Sequence, residues 1–333
     1  MNLATQLREI ATIRAILLQQ YGTKLSTDVI NSYSSILDDI RNRILSHDEL
    51  NAARTAQIIK EIKEVVFPKL PIYDEFKQFA LDERDWLVSS TNQIAGAEIF
   101  KAIPPESVIV SIAKNASIGS GKINEWFAGL DASLRFKLTN SMLQGENTQE
   151  AAKRFADISG IAMNQAETLV RTGISDISSK VREEVYKDNE SVIGGREFSA
   201  VLDNRTSLGC ATRDGATYDN EYKGINDKGK RFPFKQPPLH PRCRSIITPL
   251  LKSWEELGID LKEELPETTR ASMDGQVSSE ITFDKWLKTK DDKFIEKYLG
   301  KKRAELYLDG KISLSDLVTK NGRTKTLDEL RGI

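Results

Sequence analysis

The chain has 333 residues, with 48 Lys and Arg against 49 Asp and Glu and 39% apolar residues. A net charge of −1 excludes a wholly basic nucleic-acid coat and an acidic tail protein, while the length suggests two or three cores, because one core stops growing at about 250–300 residues. No apolar run approaches the roughly 18–20 residues a bilayer requires, and Arg8, Glu9 and Arg14 interrupt the opening segment, so a protein kept in a cytoplasm is expected. Two cysteines, Cys210 and Cys243, are too few for a secreted disulfide scaffold.

Up to about Asn189 the apolar residues recur with a helical period, as in Ile36, Leu37, Ile40 and Ile44 and then Ile58, Ile59, Ile62, Val65 and Val66. Pro68, Pro71 and Pro104-Pro105 interrupt the pattern, and the stretch from Pro104 to Gly121 reads as a loop-like joint. Leu134, Leu138 and Met142 mark a helix stopping near Gly145. Thr148 is placed to cap the next helix, Gly160 to end it, and Asn164 with Glu167 to open another that carries Val170, Ile174, Ile177, Val181 and Val185 on one face. That stripe is too short to require a coiled coil and is read as packing on a neighbouring helix of the same chain.

The pattern changes at Gly194-Gly195. Alternation over Glu197–Asp203 predicts a half-buried strand with Phe198, Ala200 and Leu202 inward, and a second strand is expected at Arg244–Thr248. Turn residues dominate between them, and two strands with a long loop bury too little to stand alone, so this unit should dock on the helices. Glu255–Glu267, acidic, and Ser272–Ser279, polar, read as a linker. Beyond it Phe283, Trp286, Leu287, Phe294, Tyr298 and Leu299 restore amphipathic character. The expected fold is mainly α: an elongated helical N-terminal part, a small α+β motif module with short strands and long ordered loops, and a short helical tail. The corresponding regions are 1–103, 104–195, 196–252 and 253–333.

The informative constellation lies between Asp203 and Ser245. It contains Asp203, Arg205, Thr206 and Cys210, then Asp214-Gly215, and finally Pro237-Pro238-Leu239-His240-Pro241-Arg242-Cys243-Arg244. Here the sequence resembles the phage Mu F-like minor head proteins of the head-morphogenesis family. The likeness reaches back to Leu169-Val170-Arg171-Thr172 and forward to Ile312–Leu317, covering roughly 145–330. Members of that family often place four cysteines here, and Ser207 and Ser245 occupy the outer two positions, so a four-thiolate zinc site is not available. Cys210, His240 and Cys243 remain as soft ligands, with Asp203 or Asp214 the nearest fourth. A structural zinc, a disulfide formed outside the reducing cytoplasm, and two packed free thiols all fit. Structural zinc sites close with four ligands, which weighs toward the thiols and toward no cofactor.

Between Pro238 and Pro241, His240 reads as a rigid hydrogen-bonding post, since no Gly-x-Ser-x-Gly elbow accompanies it. Asp203 and Asp214 suit turns, and Arg171 is placed to reach Asp203 or a carbonyl of this unit. Between Lys223 and Lys252 eight bases face one acid, Asp227. Lys228, Lys230, Arg231, Lys235, Arg242 and Arg244 form a candidate surface for DNA contact without sequence readout.

The resemblance implies a non-enzymatic minor head protein of a tailed phage or prophage, located in the virion at the capsid interior or portal. It would bind the portal, with a capsid or scaffolding protein as a further partner, and act in assembly and in DNA packaging or ejection. The competing reading is a metal-dependent hydrolase or nuclease using Asp203, Asp214, His240 and Cys243. An effector carrying a toxin domain is a third, disfavoured because the part after Leu250 is short and polar.

Overall fold

The computed structural model describes residues 3–46, 51–65, 72–115, 129, 132–133, 136–144, 146–253, 256–257, 269–278 and 280–332. It is mainly helical, with a small sheet module. Elements in chain order are α1 (Leu3–Leu45), α2 (Ala52–Val65), α3 (Ile72–Ala95), α4 (Glu106–Asn115), α5 (Thr148–Asp188), β1 (Ile193–Ser199), α6 (Leu208–Ala211), β2 (Ala216–Tyr218), α7 (Asp227–Arg231), β3 (Ile246–Leu251), β4 (Thr269–Ser272), β5 (Gly275–Ser278), α8 (Phe283–Leu287), α9 (Asp292–Leu299), α10 (Lys301–Leu308) and α11 (Leu327–Arg331). Residues 136–143 are also helical.

Several boundaries depart from the sequence expectation. The expected Thr148 cap is replaced by Asn147, whose side chain accepts the Glu150 amide at 2.9 Å while Glu150 accepts the Asn147 amide at 3.1 Å. Neither Gly160 nor Asn164 marks a boundary, because α5 runs unbroken to Asp188. Each of the two interior glycines, Gly160 and Gly173, costs a helix only about 1 kcal/mol relative to alanine, together less than the burial of Val170, Ile174, Ile177, Val181 and Val185 returns. The loop expected after Pro104 is helical over Glu106–Asn115, since proline suits the residue just before a helix and Ile109 and Ala113 bury one face. Residues 116–121 of that joint lie outside the described residues. So do Pro68, Pro71, Val66, Leu134, Gly145 and most of the acidic stretch, together with the side chains of Ile36, Leu37, Ile40, Ile62 and Val65.

The chain forms two compact units that cut across the four successive regions drawn from the sequence. One comprises Gln19–Leu81 and Glu106–Ile177. Its interior holds Leu25, Val29, Ile44, Ile58, Phe76, Leu138, Val170 and Ile174, and Tyr21 stacks on Phe79 with ring centroids 5.3 Å apart. Phe136 and Leu143, seven residues apart on one helical stretch, are 66% and 72% exposed.

The other unit comprises Met1–Leu18, Asp82–Pro105 and Ser178–Ile333. Its three-stranded antiparallel sheet has the order β2-β1-β3, with Phe198 opposite both Ala216 and Ile247. β1 begins at Ile193, with a bulge at Gly194, and ends at Ser199, so the two glycines open the strand. β3 begins two residues later than expected and extends to Leu251. β2 and the β4–β5 hairpin were not anticipated. A single core joins Val185, Tyr186, Leu87, Val88 and Phe100 to Phe198, Tyr218, Cys210, Cys243 and Ile247. The motif module therefore packs on helices, as its small size requires. A second core joins Leu202 and Ala211 to Phe283, Trp286, Leu287, Ile295, Leu299, Tyr307 and Leu317. The C-terminal segment is thus part of the module's packing, and Thr269–Ser278 is a hairpin where a linker was expected.

Candidate functional site

The motif is organised by two arginine–carboxylate latches. Ser207 caps α6 and so fixes Cys210 in the core, while Asp203 opens a turn by accepting the Arg205 amide at 3.0 Å and the Thr206 hydroxyl at 3.1 Å. Arg244 then grips both Asp203 oxygens, its Nη2 at 2.7 Å. Burial pushes the Asp203 pKa upward, but the Arg244 hydrogen bonds and charge, with the Arg205 and Thr206 donors, hold it below its ordinary value. The Arg171 guanidinium, expected to serve Asp203, donates instead to Thr23 at 2.9 Å and pairs with Glu167, one helical turn earlier, at 2.7 Å, both within its own unit.

Asp214 is wholly buried and accepts hydrogen bonds from the Ala200 amide at 2.7 Å, the Phe283 amide at 2.7 Å, and Arg270 Nη1 and Nη2, each at 3.0 Å. Arg270 also donates to the Ala200 carbonyl at 2.5 Å and the Ile281 carbonyl at 2.9 Å. Gly215 turns the chain at φ +79°, a conformation that favours glycine. Sequence reasoning missed Arg270, which sits in the segment expected to be a linker. Its partner is 56 residues away, beyond any local pattern, although the Met273-Asp274-Gly275 turn was a legible hairpin signal.

Cys210, His240 and Cys243 converge. Their ligand atoms lie within 4.8 Å of one another, with the two sulfurs 3.8 Å apart and Cys210 Sγ 3.4 Å from His240 Nε2. Both cysteines are buried and unbridged. The Cys210 hydrogen bond and the neighbouring His240 lower the Cys243 pKa against its burial, whereas Cys210, the donor beside a thiolate, is raised. Neither Asp203 nor Asp214 joins this cluster, because each is committed to an arginine; the four residues of the hydrolase reading are not brought together.

The cations expected to face DNA are mostly engaged inside the unit. Lys228 donates to the Asp214 carbonyl at 2.7 Å, Arg231 to Ser315 and Asp316, Lys235 to the Asn321 carbonyl at 3.1 Å, and Arg244 to Asp203. Lys230 and Arg242 are exposed. Lys228 is half-buried, and that burial lowers its pKa. The C-terminal segment adds a further clasp, Tyr298 donating to the Thr206 carbonyl at 2.7 Å and Arg213 to that of Lys320 at 3.1 Å.

The motif's charged groups are largely paired, and its apolar residues are shared between two cores. Residues 132–248 match the family described as Phage Mu protein F like protein, so over this span the chain is similar to that family. The match starts before the region read from the sequence and stops at Thr248, so the likeness seen at Ile312–Leu317 lies outside it. No curated protein and no solved structure matches the chain. No helix among the described residues is long and apolar enough to cross a membrane.

Proposed function

We propose that this chain is a minor head component of a tailed phage or prophage that binds the portal during assembly and acts there without turnover. The observation that carries this reading is the commitment of Asp203 and Asp214 to Arg244 and Arg270, which leaves His240 with no open carboxylate pair beside it. With at least four of the six expected DNA-facing cations bonded internally, a protein partner suits the surface better than a phosphate backbone. The exposed Phe136 and Leu143 supply an apolar face inside the family-matched span, of the kind that anchors an interface.

Co-expression with the portal protein encoded in the same phage genome tests this. A stable complex is expected on co-purification, and Phe136→Asp should weaken it at least about tenfold, the loss of one central aromatic anchor, with the thermal midpoint unchanged. Absence of a complex, or hydrolysis of DNA by the same preparation with added divalent cations, would contradict the reading.

A further inference from the structure

We propose that Cys210, His240 and Cys243 bind one zinc-type divalent ion, which pins α6 to the turn at 240–243. Two thiolates about 2.3 Å from a shared four-coordinate ion would stand about 3.8 Å apart, and a thiolate and an imidazole nitrogen about 3.6 Å apart. The separations here are 3.8 Å between the sulfurs and 3.4 Å between Cys210 Sγ and His240 Nε2. Two of the three separations are thus close to those such an ion requires, and all three ligand atoms lie within 4.8 Å of one another.

The second observation is the orientation of the histidine. His240 Nδ1 lies 2.9 Å from the Pro241 carbonyl, so the hydrogen bond places its proton on Nδ1 and leaves the Nε2 lone pair toward the sulfurs. A metal-binding histidine is held in this way, its other ring N–H donated to a carbonyl that fixes tautomer and direction. Ser207 and Ser245 hydroxyls lie against Cys210 Sγ, where they can support a thiolate. Soft sulfur with imidazole selects zinc over magnesium or calcium.

Three protein ligands leave a fourth position. Asp203 and Asp214 cannot supply it without breaking their arginine pairs, and His240 and Pro241 sit at the accessible edge of the site. Water or a donor from a bound partner therefore completes the shell. The ion would tie together two segments 33 residues apart.

The full chain, purified under reducing conditions, is equilibrated with zinc and, separately, with cobalt, and its metal content and absorption are measured. About one zinc per chain is expected, with visible cobalt bands of a four-coordinate thiolate site. Cys210→Ala, Cys243→Ala and His240→Ala should each lower affinity at least about 100-fold, and Ser207→Ala about 10-fold, whereas Lys230→Ala, at an exposed position outside the cluster, should keep the metal. Wild-type cobalt spectra keep the test decisive if a variant fails to fold. Substoichiometric zinc with two free thiols counted after denaturation would overturn the proposal. So would loss of both thiols to a disulfide, or full zinc retention in both cysteine variants.

Discussion

Asp203 and Arg244 show how a single pair couples the motif to pH. A carboxyl that titrates lower in the folded chain than in the unfolded one adds stability above the ordinary aspartate value of 3.8. That stability is lost as pH falls through the lower folded value. Arg244→Gln should therefore cost about 1–2 kcal/mol near pH 7, a modest figure because the pair keeps some contact with solvent. The difference from wild type should shrink below about pH 4, as Asp203 becomes protonated in both states. Chemical denaturation at a series of pH values reads this; a gap that stays constant down to pH 2 would show that Asp203 is not the group responsible.

Among the elements, β2 and α7 depend on a close backbone approach. A Cβ on Gly224 would stand 2.2 Å from the Gly229 carbonyl carbon and 2.3 Å from the Lys230 nitrogen. Asn226 locks the same corner, accepting the Gly229 amide at 2.8 Å and the Thr217 amide at 3.1 Å, and donating to the Gly215 carbonyl at 2.8 Å. The obstruction is backbone, so nothing flexible can swing aside. Gly224→Ala is expected to destabilise the unit by about 2 kcal/mol or more, measured as a lowered denaturation midpoint with an unchanged slope. An unaltered midpoint would mean that the corner relaxes freely.

For the whole molecule, the segment after Leu251 completes the motif. Removing it would strip Leu202 and Ala211 of Phe283, Trp286 and Leu287, and leave buried Asp214 without Arg270. An uncompensated buried charge costs about 3–5 kcal/mol, a large share of a domain's usual stability. Residues 132–248 expressed alone should therefore be aggregated or loosely packed, whereas the full chain folds cooperatively. A sharp thermal transition and well-dispersed amide NMR signals from that fragment would disprove this.

Local features of the sequence sufficed for the helical majority, the central strand, the Asp203–Ser245 constellation and its likeness to Mu F-like proteins. Periodicity and turn chemistry act within a few residues, so Val170 through Val185 and Asp203 through Thr206 carried their own signals. Where α5 would stop depended on tertiary burial outweighing two interior glycines, and where Arg171 would bond depended on a helix far away in sequence. The same holds for the arginines that hold Asp203 and Asp214 and for the meeting of Cys210 with His240 and Cys243. Those pairings span 30 to 56 residues, and only the folded chain, by excluding water around buried charge and sulfur, makes one partner better than all others.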